Sequence, residues 1–149
     1  MGEDSSEAPE ATEGSAGLTG LGARVHLFVG PKHREAFTSL FRDVLGCDAV
    51  ERDFGLPFPI LLVRFADGSA FSVEFSDLAV EAPSNGRLSD ATAFRGAWIE
   101  FRTADVARLQ QRLRAAGIAE FTHPGSPHAY FAAPGGQVFR LLDVTYQGP

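Results

Sequence analysis

Residues 24–46 read RVHLFVGPKHREAFTSLFRDVLG, and this stretch decides the fold. The apolar residues Val25, Leu27 and Val29 occupy every second position of this stretch, which is the period of a strand with one buried face. Gly30-Pro31 ends that strand, and apolar residues then recur at helical spacing as far as Gly46. Glycine is the usual residue just beyond a helix end, so the stretch predicts a strand followed by a helix that ends at Gly46.

The same pattern returns at residues 98–117, which read WIEFRTADVARLQQRLRAAG. Trp98 follows Arg24 by 74 residues, and Gly117 follows Gly46 by 71 residues. The two copies therefore match apart from three residues that are missing from the second connection or helix. An offset that is nearly constant over a strand and a helix indicates an internal repeat.

Three strand-like segments follow each predicted helix, and turn glycines mark equivalent places in the two copies. Gly136 follows Gly68 by 68 residues. Each copy therefore reads β-α-β-β-β, which predicts an α+β fold built from two modules at about 23–78 and 96–145, with a linker at 79–95. The predicted strand-like segments are 47–52, 60–65 and 70–75 in the first module and 120–123, 129–132 and 138–144 in the second.

Charge is distributed unevenly along the 149 residues, whose formal net charge is −6. Residues 1–20 contain five acidic residues and no basic ones, so we predict a disordered acidic tail there. Residues 21–149, predicted to be a single domain, hold 13 basic and 14 acidic residues, so no nucleic-acid partner is expected. No apolar run approaches a membrane span, and a single cysteine favours the reducing cytoplasm.

Three segments carry a resemblance to a known family: VHLFV at 25–29, FRDVLG at 41–46 and APGGQVF at 133–139. Over about residues 23–145 the chain resembles the vicinal oxygen chelate superfamily, which includes glyoxalase I, extradiol dioxygenases, and fosfomycin- and bleomycin-resistance proteins. The resemblance implies two fused βαβββ modules with curved mixed sheets that form a cup. It also implies that two copies can pair as a homodimer.

In metal-using members, the resemblance implies one metal ligand from the first and one from the fourth strand of each module. These positions fall on Arg24 and Ser72 in the first module, and on Trp98 and Arg140 in the second. Such residue types do not form a divalent-metal site. We therefore predict that the usual metal site is lost and that no cofactor is needed.

A second set of residues lies two positions further along three of these strands, on the same predicted face. His26, Glu74 and Glu100 are all metal-ligand types, and together they would suit Zn²⁺, Mn²⁺ or Fe²⁺. Three arginines are expected in the same cup, so the two carboxylates could instead be held in ion pairs, or the same groups could line a metal-free ligand pocket. These arginines are Arg24, Arg102 and Arg140.

Three functions remain open at this point. The first is binding of a small anionic or aromatic molecule in the cup. The second is a metal-dependent lyase, isomerase or oxygenase that uses the displaced metal set, and the third is a dimerising structural domain with no ligand. No Gly-x-Ser-x-Gly turn and no Ser-His-Asp arrangement are visible, so hydrolysis is not predicted. The predicted ligand-binding residues are Arg24, His26, Glu74, Trp98, Glu100 and Arg140.

Overall fold

The structure is a computed structural model that describes residues 17, 19, 23–79, 97–122 and 126–147. It confirms the α+β fold and the repeat. The first module contains β1 (His26–Val29), a 3₁₀ turn (Pro31–His33), α1 (Arg34–Ser39), a π-helical turn (Leu40–Val44), β2 (Asp48–Arg52), β3 (Ile60–Arg64) and β4 (Ala70–Phe75). The second module contains β5 (Trp98–Thr103), α2 (Val106–Ala115), β6 (Glu120–Phe121), β7 (Ala129–Ala132) and β8 (Val138–Asp143).

Each module forms its own four-stranded mixed sheet. The strand order is β1-β4-β3-β2 in the first sheet and β5-β8-β7-β6 in the second. The first and last strands of each module lie side by side and run parallel, whereas the other pairs are antiparallel. The helix forms the crossover that parallel pairing of β1 with β4, and of β5 with β8, requires.

The first helical region differs from the single regular helix that the sequence predicts. It changes from a 3₁₀ turn to an α-helix and then to a π-helical turn, in which the Leu45 amide donates to the Leu40 carbonyl at 2.9 Å. Phe37 and Phe41, one on each side of the change, are both fully buried, so the wider π turn keeps both rings in the core. Gly46 has a φ of +70°, as expected of a helix-ending glycine.

The second helix has a side-chain cap at its start and a glycine just beyond its end. The Asp105 carboxylate accepts a hydrogen bond from the Arg108 amide at 3.0 Å, and α2 begins at Val106, directly after Asp105. The helix ends at Ala115, and Gly117, two residues later, has a φ of +73°. The Asp105 cap satisfies one of the amides that a helix leaves without a partner in its first turn.

One hydrophobic core serves both modules. Phe41, from the first helical region, packs against Phe71 of the first sheet and Phe139 of the second, with ring centroids 5.1 and 5.4 Å apart. Phe101 stacks on Phe139 at 4.7 Å and also lies 5.9 Å from Phe71. The two sheets therefore turn one face each towards the same set of aromatic side chains, and neither module has a separate core.

Polar contacts also join the modules. The Gln137 side-chain amide donates to the Phe28 carbonyl at 3.0 Å, and the Arg112 guanidinium donates to the Asp43 carbonyl at 2.9 Å. The first bond ties the β7–β8 turn of one module to the edge strand of the other. The second ties the end of α2 to the end of the first helical region.

Two predicted segments lie outside the described residues. These are the acidic tail at 1–20, apart from Gly17 and Thr19, and the linker at 79–95, apart from Ala79. Neither of the α-helices that the structure describes has the length and apolar composition needed to cross a bilayer.

Candidate functional site

The predicted site residues lie on the sheet faces that point away from the shared core. In β1, Leu27 and Val29 pack in or against the core, so His26 and Phe28 point to the other side. We call this side of the first sheet the first face, with His26, Phe28, Ser72 and Glu74 as its defining residues. The equivalent side of the second sheet is the second face, with Trp98, Glu100, Tyr130 and Arg140 as its defining residues.

On the first face, pairing of two adjacent parallel strands brings an imidazole to a hydroxyl and a carboxylate. His26 is paired in register with Ser72, and Phe28 with Glu74. The His26 Nδ1 lies 2.6 Å from the Ser72 Oγ, and the His26 Nε2 lies 3.4 Å from the Glu74 Oε2. The Phe28 ring packs edge-on against the imidazole, with centroids 5.0 Å apart.

On the second face, Arg140 is held by an ion pair and covers the single tryptophan. Its guanidinium donates to the Glu100 Oε2 at 2.5 Å, and the guanidinium carbon lies 3.9 Å from the centre of the Trp98 ring. Arg102 contacts the other Glu100 oxygen at 3.8 Å. This is the geometry of a cation–π interaction whose cation is fixed in place by a carboxylate.

The environment of Arg140 keeps it charged. Only 12% of its side chain is exposed, and burial by itself would lower the pKa of the guanidinium. Hydrogen bonds to Glu100 and Tyr130 outweigh burial, so the pKa is raised above its ordinary value. Among the residues that the structure describes, none accepts a hydrogen bond from the buried Nε of Arg140, which leaves a donor of this group for a ligand.

Aromatic rings continue the second face beyond Trp98. Tyr130 meets Trp98 edge-on at 6.3 Å and stacks on Phe121 at 5.8 Å. The Tyr130 hydroxyl lies 3.0 Å from the hydroxyl of Ser126. Trp98 is 44% exposed, so part of this aromatic surface is open to solvent.

The structure brings the predicted residues together in two groups rather than one. His26 and Glu74 share the first face, and Trp98, Glu100 and Arg140 share the second. Arg24 is exposed and lies two residues before β1. The predicted pairing of a cup arginine with a carboxylate is seen for Glu100, whereas Glu74 contacts His26 instead.

The family's four metal positions do not fit a divalent cation in this chain, because Arg140 among them is already paired with Glu100 and stacked on Trp98. Among the residues that the structure describes, no three His, Cys, Asp or Glu side chains are placed to hold one metal ion. In a single chain, His26 and Glu74 are therefore not joined by Glu100. Metal binding by these three residues stays a prediction.

A cleft of about 630 Å³ lies elsewhere, beside α2, with Val106, Gln110 and Arg114 on one side and Glu120 and Leu141 on the other. It contains none of the predicted site residues. The chemistry of the two faces rather than this cleft therefore marks them as the candidate site.

Comparison with known proteins adds to this geometry. No protein-family model matches the chain, and no curated protein matches its sequence. Solved structures do match, and one is TnmS3, an antibiotic binding protein from Streptomyces sp. CB03234. It is 18% identical with a TM-score of 0.59, over 83% of this chain and 95% of that one.

Two further solved structures have the same architecture. Glyoxalase I from Leishmania major is 14% identical with a TM-score of 0.59, over 81% of this chain and 84% of its own. The fosfomycin resistance protein FosX from Mesorhizobium loti is 16% identical with a TM-score of 0.52, over 83% of this chain and 91% of its own. The protein has the vicinal oxygen chelate fold. Sequence identities this low establish the fold but not the function.

Three residues that define the faces, Phe28, Ser72 and Tyr130, were missed by the sequence prediction of ligand-binding residues. Tyr130 pairs in register with Arg140, and the two lie five residues on either side of Gly135, so the β7–β8 turn could have revealed this pairing. Ser72 was named only as a lost metal position, and its contact with His26 depends on the parallel pairing of β1 with β4.

Proposed function

We propose that the protein binds a small planar molecule with an anionic group, and that the second face is its binding surface. The observation that carries this proposal is the Arg140 guanidinium, held by Glu100 and stacked on Trp98. A fixed guanidinium offers paired donors to a carboxylate or phosphate. The exposed aromatic rings beside it offer contact to the apolar part of the ligand.

The balance of charge on the second face supports an anionic ligand. Two arginines, Arg102 and Arg140, contact the single carboxylate of Glu100. These three side chains therefore carry a net charge of +1 on the second face. A ligand carboxylate would neutralise it and would find in Arg140 a cation whose position is already fixed, so little side-chain entropy is lost on binding.

One of the structural neighbours gives further support. TnmS3 is named as an antibiotic binding protein and has the same fold. Binding of an antibiotic is therefore a role that this architecture performs in at least one protein. The cytoplasm is the compartment that we propose for this role, on the evidence of the single cysteine.

Fluorescence of Trp98, the only tryptophan, offers a direct test. We expect planar aromatic carboxylates to change this emission on titration, and the matching uncharged amides to bind at least about tenfold more weakly, the equivalent of about 1.4 kcal/mol. In Arg140→Met, affinity for the carboxylate should fall by at least about tenfold, because a charge-assisted contact is lost. Arg108→Met, on the exposed side of α2, is the matched control and should leave affinity unchanged.

A stability measurement separates binding from a structural role of Arg140. Glu100 keeps its contact with Arg102 in Arg140→Met, so we expect only a small fall in the free energy of unfolding. A variant that is strongly destabilised but binds the carboxylate with unchanged affinity would decide for a structural role and against this proposal.

We further propose that two copies of the chain pair through these faces. Phe28 on the first face is 57% exposed and Trp98 on the second is 44% exposed, which leaves two apolar surfaces open to water. The first face carries Glu74, whereas the second carries excess positive charge from Arg102 and Arg140. A two-fold pairing that sets the first face of one copy against the second face of the other would bury part of each surface and leave a cleft between the copies through which small molecules reach both faces.

Light scattering tests this pairing. We expect a mass of twice the 16.0 kDa of the chain at micromolar concentration. Phe28→Glu should shift the protein towards monomer, whereas Phe54→Glu, a similarly exposed phenylalanine on the loop before β3, should not. A monomeric wild-type protein would contradict the pairing, and ligand binding to the second face could still hold.

A further inference from the structure

Three side chains of the first face form a chain of contacts that the proposed binding function does not use. The Ser72 hydroxyl lies 2.6 Å from one nitrogen of the His26 ring, and the Glu74 carboxylate lies 3.4 Å from the other nitrogen. A hydroxyl, an imidazole and a carboxylate therefore follow one another in the order of nucleophile, base and orienting group. That order, within hydrogen-bond reach, is the geometric signature of an activated serine.

The strands hold these groups in place. Ser72 and Glu74 are two residues apart in β4, so both point to the first face, and His26 faces them from the parallel neighbour β1. The Phe28 ring, edge-on to the imidazole at 5.0 Å, restricts rotation of that ring. The His26 side chain is 37% exposed, so a solute can reach the imidazole and the hydroxyl beside it.

We propose that Ser72 is a nucleophile towards activated acyl groups, with His26 as its general base and Glu74 as a positioning residue. The Ser72 Oγ forms a bond to the acyl carbon while the bond from that carbon to the leaving-group oxygen breaks. The proton of the hydroxyl passes to His26 and from there to the departing oxygen. Water then attacks the acyl carbon, gives a proton to His26 and releases the acid, and the Ser72 oxygen takes that proton back.

The geometry indicates which substrates would react. The contact between Glu74 and His26 is long, as catalytic hydrogen bonds often are before a substrate binds. His26 activates the nucleophile and passes its proton to the leaving group, and no second acid is proposed. The substrate class is therefore an ester whose leaving group departs readily, with an apolar acyl part that can contact the exposed Phe28 ring.

A fluorophosphonate probe tests the nucleophile without knowledge of the natural substrate. In that reaction the Ser72 oxygen bonds to phosphorus, the phosphorus–fluorine bond breaks, and fluoride leaves while His26 takes the hydroxyl proton. We expect the full-length wild-type protein to gain one adduct by intact mass, and peptide mapping to place it on Ser72. Ser72→Ala should abolish the adduct.

Variants of the other two residues test their roles. His26→Gln should slow labelling by at least about 100-fold, the usual minimum for loss of a general base. Glu74→Gln should slow it by about tenfold, and Glu74→Asp, which keeps the charge, should recover part of the rate while the thermal midpoint stays unchanged in both. Ser39→Ala is the matched control and should leave labelling unchanged, because the Ser39 hydroxyl donates to the Asp43 carboxylate rather than to an imidazole.

Each contrary result has a clear meaning. Absence of an adduct in the wild type, an adduct on another serine, or an unchanged rate in His26→Gln would show that the Ser72–His26 contact is only structural. Loss of labelling when EDTA is added would also overturn the proposal, because the mechanism uses no metal. None of these outcomes bears on ligand binding at the second face, which the Trp98 titration measures separately.

Discussion

Cys47 shows how the position of one residue sets its chemistry. The residue follows the first helix-ending glycine, and its side chain packs against the shared core. Burial raises the pKa of the Cys47 thiol from 9.0 to about 11. A small apolar role, rather than a reactive one, is typical of a cysteine in this partly buried position.

Alkylation of Cys47 provides a residue-scale prediction. Only the thiolate reacts, so at pH 8 the folded protein should react about 100-fold more slowly than the urea-unfolded chain. Iodoacetamide labelling followed by mass spectrometry measures both rates. Because the folded-state pKa is the higher one, the protonated thiol favours the folded chain below pH 9, and this contribution is lost as the pH rises through about 11. Equal rates in the two states would contradict the burial argument.

At the scale of elements, α2 depends on its cap. The Asp105 carboxylate accepts from the Arg108 amide, and the Thr103 hydroxyl accepts from the Asp105 amide at 3.2 Å. Both residues are of types favoured at helix N-termini, and the side chain of Asp105 is the one that caps the helix. Thr103 instead fixes the turn that leads into it.

Removal of the cap should weaken the whole domain. We expect Asp105→Ala to lower the free energy of unfolding by about 1 kcal/mol, because an amide of the first turn loses its partner. Urea denaturation followed by circular dichroism measures the change. Asp105→Ser keeps a capping oxygen and should retain most of the stability, so equal losses in the two variants would rule out capping as the cause.

At the scale of the whole molecule, the two modules meet at the β7–β8 turn. Gly135 has a φ of +98°, and an added Cβ would lie 3.0 Å from the Val29 side chain of the other module. Gly68, in the equivalent turn of the first module, has a φ of +86° and open space around it. The two glycines therefore share the backbone strain of a substitution but differ in the contact across the modules.

This pair of turns gives a matched prediction about the junction. Gly68→Ala should lower the free energy of unfolding by about 1 kcal/mol, because of the positive φ alone. Gly135→Ala should lower it clearly more, because the added methyl group also overpacks against Val29. Parallel urea melts of the two variants measure the difference, and equal losses would mean that Val29 yields to the new methyl group at no cost.

Metal binding is a question for the whole molecule, because the predicted ligands come from both modules. If His26, Glu74 and Glu100 bind a metal ion, protein purified without chelator should contain it, and EDTA should lower the melting temperature by mass action. We expect no such change, because Glu100 is already paired with Arg140. Elemental analysis together with melting curves in EDTA, Zn²⁺, Mn²⁺ and Fe²⁺ provides the measurement, and a near-stoichiometric metal would reverse this expectation.

Much of the architecture could be read from local patterns in the chain. The near-constant offset between the copies, the alternation from Arg24 to Val29 and the glycines at 46, 68, 117 and 136 predicted the repeat, most strands and the turns. These features depend on side-chain period and backbone sterics within a few residues, which is why the sequence reveals them. The irregular first helix was missed, because the π turn is favoured by the packing of Phe37 and Phe41 in a core formed by both modules.

The contacts of the site depended on the tertiary structure. Sequence spacing placed His26, Glu74, Glu100 and Arg140 in one cup, because strand side chains repeat every two residues, whereas the structure divides them between two faces. Which groups meet is set by the pairing of strands whose partner residues lie forty or more positions apart in the chain, and by the burial of both sheets against one core. In the folded chain, Arg140 contacts Glu100 and Trp98, and Ser72 contacts His26. Only folding brings such distant strands within hydrogen-bond reach, so the sequence alone could not reveal these contacts.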